Sequence, residues 1–387
     1  MYYIREQKNI IEMLYKEAEE YNLILESIGN FAEKEIFPTA KKVDEEEIFP
    51  RQSLEKVSKQ GIMAIPFPAE YNGLGLPFPV YINAIEMLAK ACANTALQVS
   101  VQGMVCEGIR LFGNERQKNE LLKEKGLVEG RSLAAFALTE PCCGSDARSI
   151  QTKAERLGNR FILNGTKTLI TSPGEADIIL LFAGTDKGIS SFILPKETAG
   201  FKVAKVIPKL GFRGHSLSEV HIDNCEVPEE NLLGEEGKGL EYAKHILNSG
   251  RMTIAAIAVG IAQAAYEKSL SYSKERKAFG ESISEFQLVQ EKLANMVTEI
   301  NAARLLISYA AFLKGKRKNI ASEVSQAKVF ASEMALRVCD NAIQIHGGYG
   351  YTDEYDIHRH WRDARLITIG EGTSDILRLL IARLALK

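Results

Sequence analysis

Along this chain the hydrophobic period changes twice, and those two changes restrict the fold more than any single motif does. From about residue 8 to 130 apolar residues recur at three-and-four spacing, as in "AIEMLAKACANTALQVSVQGMVCEGIRLFG", and "GNERQKNELLKEKG" reads as a capped helix. Between about 131 and 233 the pattern becomes short alternating or apolar runs parted by turns: "RFILNGTKTLIT", "ADIILLFAG", "SSFILP" and "SEVHIDNCEVP". Within the first of these runs Asn164-Gly165 is a two-residue hairpin signal. No helix-length segment separates the runs, so this stretch is expected to be antiparallel β and not a βαβ nucleotide fold. From "GEEGKGLEYAKHILNSGRMTIAAIAVGIAQAA" onward the chain is helical again, in stretches long enough for a bundle. The expectation is an α+β chain of three segments: helical over 1–130, β over 131–233 and a helical bundle over 234–387.

Composition narrows the partners. A chain of 387 residues with 45% hydrophobic content can bury a large core, while a net charge of −2 and the lack of a dense Lys/Arg block argue against nucleic acid. No run is read as long enough to cross a membrane, and the mixed charges from Arg5 onward do not resemble a secretory signal. Cys92, Cys106, Cys142, Cys143, Cys225 and Cys339 show no CxxC or finger spacing, which argues for reduced thiols, no structural metal and a cytoplasmic address.

Local motifs exclude more than they assign. "GLGLPF" has Phe78 where a dinucleotide fingerprint needs its third glycine, and neither GxxxxGK[ST] nor GxSxG occurs. His358 and His360 are two apart and do not share a helix face, so surface or interface histidines are expected rather than a metal site. The adjacent Cys142 and Cys143 are open between a vicinal disulfide, a redox pair, an activated nucleophile and two small side chains in a tight turn; ring strain and a reducing compartment favour the last. In "IGEGTSDILRLLIARLALK", Thr373 is a candidate N-cap for a helix whose apolar face includes Ile376 and Leu380, with Ala382 or Leu384. Glu371 then sits just ahead of that helix between two glycines, either as a carboxylate a ligand can approach closely or as a capping or surface residue.

Taken together, "FALTEPCCGSDA", "NGTKTLIT", "KLGFRG", "GRMTIAAIAVGIAQAA", "ERKAFGESISEFQ" and "QIHGGYGYTDEYDIHRHWRDARLITIGEGTSDI" resemble the acyl-CoA dehydrogenase family, in order and over nearly the whole chain. The resemblance implies a helical N-terminal domain, a middle β domain and a C-terminal four-helix bundle. It also implies bound FAD, an acyl-CoA substrate, an electron-transferring flavoprotein as redox partner and a homotetramer. By position it implies that Phe136, Leu138, Thr139, Gly144 and Ser145 border the cofactor, that Ser145 also meets the acyl-CoA, and that Leu169 and Thr171 lie beside the flavin ring. Arg276, Phe279, Gln287, Gln344, Gly347 and Gly348 resemble positions that reach the FAD of a neighbouring subunit; Thr373 and Asp375 resemble further FAD contacts. Asn248, Arg251, Gly370 and Gly372 correspond to substrate positions, and Glu371 to the catalytic base in the family's E-G-T motif. Some members carry the base just before the arginine instead, where this chain has Gly250.

Departures from the family pattern sharpen the expectation. Leu169 stands where many members have an aromatic residue, and Gly370 where many straight-chain enzymes have Tyr, which implies room for a short, branched, cyclic or aryl acyl group. The family usually has Gly and Ala at Cys142 and Cys143, in keeping with two small residues in a turn. The expected reaction is dehydrogenation of an acyl-CoA to a trans-2-enoyl-CoA. The alternatives are an enoyl-CoA reductase running in reverse, an oxidase relative, and a flavin-free binding protein of the same fold.

Overall fold

The computed structural model describes residues 21–314, 316–317 and 319–386, so the part of the first expected helix before Tyr21 lies outside the described residues. By its internal contacts the chain divides into two compact units. One comprises Lys42–Gly75 and Leu97–Gly250; the other comprises the described residues of 21–41, Leu76–Ala96 and 251–386. The fold class is the expected α+β.

The first unit is built on a seven-stranded sheet: β1 (Ala134–Ala137), β2 (Lys153–Leu157), β3 (Arg160–Thr171), β4 (Ile178–Thr185), β5 (Gly188–Pro195), β6 (Phe201–Val206) and β7 (Leu217–Pro228). The order is β1-β4-β2-β3-β7-β6, with β5 added on β4. β4 shows why an uninterrupted apolar run makes a strand here. Its Ile178, Leu180 and Phe182 enter one cluster with Val105, Ile109, Leu122 and Ile246, while Ile179, Leu181 and Ala183 enter another with Phe161, Leu163, Phe192 and Val220. Both faces are covered, so the period of two is written in apolar residues only.

Two expectations need correction here. The sheet is mixed rather than purely antiparallel: β2–β3, β3–β7, β6–β7 and β4–β5 are antiparallel, but β1 pairs with β4 in parallel, as β2 does at Lys153 and Gly184. The chain makes the β2–β3 hairpin between β1 and β4, which supplies the long return a parallel pair needs without a crossover helix. Asn164-Gly165 is not a turn either, because β3 runs straight through it. The pair marks an irregularity against β7, where Asn164 Oδ1 accepts from Asn224 N at 2.8 Å. A Cβ on Gly165 would lie 2.7 Å from Thr152 Cα, so this glycine serves a close backbone approach. The hairpin turn is Gly158-Asn159, with Gly158 at φ 63°.

The second unit is helical. Ala321–His346 buries Val324, Ala327, Ala331, Met334, Val338, Ala342 and Ile345 along one stripe and packs against Gln287–Leu313, Ile357–Ile367 and Ser374–Ala385. Residues 251–275 of the Gly239–Glu275 helix approach the Phe78–Ala91 helix so closely that a Cβ on Gly260 would meet Glu86 O at 2.4 Å. Arg304 forks onto the Glu86 carboxylate from Gln287–Leu313, with Nη2 donating at 2.8 Å. Contrary to the sequence expectation, Gly239–Glu275 and Gln287–Leu313 are long and apolar enough by length and composition to cross a membrane. Their apolar windows are 78% and 39% buried in the protein, and bundle packing accounts for the first. His360, expected at a surface or interface, is buried in the chain, as are His215 and His346. His215 Nδ1 and Ser172 Oγ share a hydrogen bond of 2.8 Å, and His346 stacks on Tyr272.

Candidate active site

Glu371 lies in the loop between the Ile357–Ile367 and Ser374–Ala385 helices. Thr373 is the N-cap expected from the sequence, its Oγ1 accepting from Ile376 N at 3.3 Å. The inward stripe runs through 373, 374, 377, 380, 381 and 384, so the expected Leu380 and Leu384 lie on it, while Leu377 is the fully buried position and Ile376, 36% exposed, and Ala382 lie off it.

Backbone geometry at Glu371 is unusual for a residue with a side chain. Its φ is 56°, in the left-handed region, and Gly372 follows at 104°. Two cations, half-buried Arg251 and buried Lys328, hold this conformation by its carbonyls: Arg251 Nε donates to Glu371 O at 3.0 Å, and Lys328 Nζ donates to Gly372 O at 2.7 Å. A side chain at 372 would press Leu377 Cδ2 at 3.3 Å and Arg251 Nη2 at 3.5 Å, so glycine is needed there on space as well as on φ. Gly370 differs. Its φ is not positive, and a Cβ would make only ordinary contacts with Leu366 at 3.7–3.9 Å, so the missing side chain leaves space rather than permitting a conformation.

The Glu371 carboxylate is enclosed, and its Oε2 has no hydrogen-bond partner among the described residues. Burial pushes its pKa up from 4.5 to about 7, against the opposing pull of Lys328 and Arg251. The same burial lowers Lys328 to about 8, with Glu371 acting to raise it, and lowers Arg251 below its ordinary value. A carboxyl balanced near neutrality, with an unused oxygen and its backbone held by two cations, suits the transfer of a single proton. Lys328 escaped the sequence reading. Its signal is a lysine at a buried position of an Ala-rich helix, flanked by Ala327 and Val329, where solvent offers it nothing.

In the sheet unit the structure brings together two segments expected to border a cofactor. Thr168 N donates to Thr139 O at 2.9 Å, and Lys167 Nζ donates to Leu138 O at 3.0 Å, so the loop after β1 is tied to β3. Phe136 is half-buried with its ring 5.1 Å from Phe182; Gly144 and Ser145 are exposed. Leu169 is 52% exposed at φ 56°, beside an irregularity in the pairing of β3 with β7, and Thr171 closes the strand opposite Leu217. Behind the loop, Lys167 and Glu140 form a fully buried ion pair at 2.7 Å. Glu140 also accepts from Thr152 N and Gln151 N; burial raises its pKa, and Lys167 first, then these two donors, outweigh that and hold it below the ordinary carboxylate value. Asn248 is half-buried on the Gly239–Glu275 helix.

A third group lies in the helical unit. Arg276 places its guanidinium 5.6 Å from the centre of the Tyr349 ring, which brings it to the Gly347–Tyr351 turn. Gln344 O caps that turn by accepting from Gly347 N, and Gly347 and Gly348 stand in open space. Phe279 is 98% exposed on the Lys277–Ala278/Glu281–Ser282 hairpin at φ 51°, and Gln287 and Asp375 are exposed.

The helical unit holds an enclosed carboxyl suited to moving one proton, and the sheet unit an exposed apolar residue on strained backbone. Comparison with known proteins makes this specific. The N-terminal, middle and C-terminal domain profiles of acyl-CoA dehydrogenase match residues 18–127, 135–225 and 237–386. The probable acyl-CoA dehydrogenase YngJ of Bacillus subtilis is 44% identical over 97% of this chain and 100% of its own length. The 3-(aryl)acrylate reductase of Clostridium sporogenes is 39% identical over 96% and 99%. The structure of butyryl-CoA dehydrogenase from Megasphaera elsdenii superposes with a TM-score of 0.91 at 39% identity, covering 94% of this chain and 97% of that one. The chain belongs to the acyl-CoA dehydrogenase family and is an FAD-dependent oxidoreductase.

The residues present fit FAD. Leu169 and Phe279 expose apolar side chains from left-handed backbone, a conformation costing of order 1–3 kcal/mol each that persists where the surroundings or a ligand repay it. Gly144, Gly347 and Gly348 leave the space beside the backbone open, as close approach of a dinucleotide requires.

Proposed function

We propose that this enzyme removes the α-proton of a short acyl-CoA with Glu371 Oε2 as the base and yields a trans-2-enoyl-CoA. The enclosed, unpartnered Oε2 on a carboxyl near neutral pKa carries this reading. In it, Glu371 N–H donates to the thioester oxygen, which acidifies the α-carbon while Oε2 takes its proton. Arg251 and Lys328 fix the Glu371–Gly372 backbone so that the carboxyl need not be ordered during the reaction. Bound FAD supplies the acceptor for the hydride that leaves the β-carbon. Phe136, Leu138, Thr139, Gly144, Ser145, Leu169 and Thr171 hold one part of it, and Arg276, Phe279, Gln287, Gln344, Gly347, Gly348, Thr373 and Asp375 hold the rest, some from a neighbouring copy. Ser145, Asn248, Arg251, Gly370 and Gly372 meet the acyl-CoA.

Space at Gly370 supports a branched, cyclic or aryl acyl group in addition to a short straight one. Electrons leave to an electron-transferring flavoprotein. The exposed Phe279, Leu288 and Leu305 support assembly of several copies, for which we propose a homotetramer, and the reading places the enzyme in the cytoplasm. The test is to mix yellow, FAD-loaded protein with butyryl-, branched-chain and aryl-acyl-CoA and follow flavin bleaching, in wild type and Gly370→Tyr. Wild type accepts all three classes, and Gly370→Tyr keeps butyryl-CoA while losing about tenfold or more on the bulky ones. Bulky thioesters that fail to bleach wild type would remove the width assignment.

A second reading, reduction of an enoyl thioester, is supported by the 39% identity to an acrylate reductase. The two directions need opposite protonation of Glu371. Dehydrogenation gains rate as pH rises through about 7, and reduction loses it over the same range.

A further inference from the structure

We infer that Glu140, Cys142 and Cys143 form a binding site for a thiophilic divalent cation of the zinc and cadmium class. The three offer one carboxylate oxygen and two sulfurs, all within 4.8 Å of one another. Cys142 Sγ lies 3.4 Å from Cys143 Sγ and 3.8 Å from Glu140 Oε2. A tetrahedral zinc with bonds of about 2.3 Å to sulfur and about 2.0 Å to oxygen spaces its ligands roughly 3.8 Å apart sulfur to sulfur and 3.5 Å sulfur to oxygen. The two Cys142 separations therefore need adjustments of a few tenths of an ångström, and Cys143 Sγ, within 4.8 Å of the carboxylate oxygen, closes on it by at most about 1.3 Å, a movement a side-chain rotation supplies. A covalent bond between the sulfurs would need them to close by more than about 1 Å.

The turn that presents these ligands is fixed. Glu140 N donates to Cys143 O and Cys143 N donates to Glu140 O, both at 3.1 Å, around Pro141, whose ring suits the second position of such a turn. This closure is what brings the side chains of neighbouring residues to one side. They would point apart in a strand, so the chain's lack of CxxC spacing does not argue against the site. Glu140 is oriented from behind by Lys167 Nζ and Thr152 N on Oε1 and by Gln151 N on Oε2 at 2.5 Å. Such outer hydrogen bonds aim a ligating carboxylate.

Charge and access agree with the assignment. Glu140 and Lys167 already balance each other, so loss of one proton from each of Cys142 and Cys143 as one dication enters leaves the net charge of the cluster unchanged. Two sulfurs select against magnesium and calcium, which take oxygen ligands. Cys142 is exposed, leaving the fourth position open to water or a small anion, while Cys143 is buried.

The experiment uses reduced, FAD-loaded protein stripped of metal and titrated with cadmium. Ultraviolet thiolate-to-cadmium charge-transfer absorption and the metal retained after desalting are measured together. The expected result is one cadmium per chain, displaced by zinc, with at least tenfold weaker binding and loss of the band in both Cys142→Ser and Cys143→Ser. Since Cys142 is exposed, its serine variant keeps the packing of the turn, and the unchanged flavin spectrum checks that it has folded. No uptake by wild type at micromolar free cadmium, or a band that survives in both serine variants, overturns the assignment.

Discussion

Replacing Glu371 by Gln should make the protein more resistant to unfolding at alkaline pH, because the buried carboxyl proposed as the base is costly to the fold. Burial raises the Glu371 pKa from 4.5 to about 7, so the folded chain keeps a proton that the unfolded chain has lost. The stability this linkage contributes is fully present below about 4.5 and is lost as pH rises through about 7. Between pH 5 and pH 8 the loss is about 2.5 kcal/mol from Glu371 alone. Glutamine is nearly isosteric and does not ionise, so it escapes the loss. Part of the gain is returned because Lys328, held at about 8, loses the one carboxylate that raises its pKa most. The net expectation is that the variant's advantage over wild type grows by about 1–2 kcal/mol from pH 5 to pH 8. Guanidinium denaturation of both proteins at the two pH values, in equal excess FAD, measures it. An advantage that stays constant or shrinks with pH would refute the claim that this carboxyl is desolvated in the folded state.

Two further substitutions probe the surroundings. Lys328→Met removes a cation that lowers the Glu371 pKa, so the acid limb of the kcat/KM profile for dehydrogenation should move up by about one pH unit; a limb that does not move means Lys328 serves only as a support for Gly372 O. Lys167→Met leaves the Glu140 carboxylate buried beside two backbone donors without its counter-ion and should cost about 3–5 kcal/mol in denaturant unfolding, whereas a cost under about 1 kcal/mol would mean water reaches the pair.

The order helical, β, helical was legible because core-facing periods of 3.6 and 2 are properties of the chain itself. Thr373 marked a helix start and so put Glu371 just ahead of it, but the local pattern left that residue open between a ligand-facing carboxylate and a cap, and its role as a base came only with the family resemblance. What stayed hidden depends on partners distant in sequence. Lys328 comes to Gly372 from another helix, and Lys167 meets Glu140 across a loop, so neither pair follows any local spacing. Asn164-Gly165 misled because the same dipeptide that suits a type I′ turn also suits an irregular strand pressed against Thr152. The parallel pairing of β1 with β4 was invisible for want of a crossover helix, and Leu377 rather than Ile376 faces inward.

The central claim is that Glu371 Oε2 takes the α-proton. Rapid mixing of yellow Glu371→Gln protein with butyryl-CoA at pH 8 tests it most directly. The account predicts that the thioester still binds, seen as a perturbed flavin spectrum, while bleaching slows by at least about a hundredfold relative to wild type. Bleaching at the wild-type rate would show that another group removes the proton.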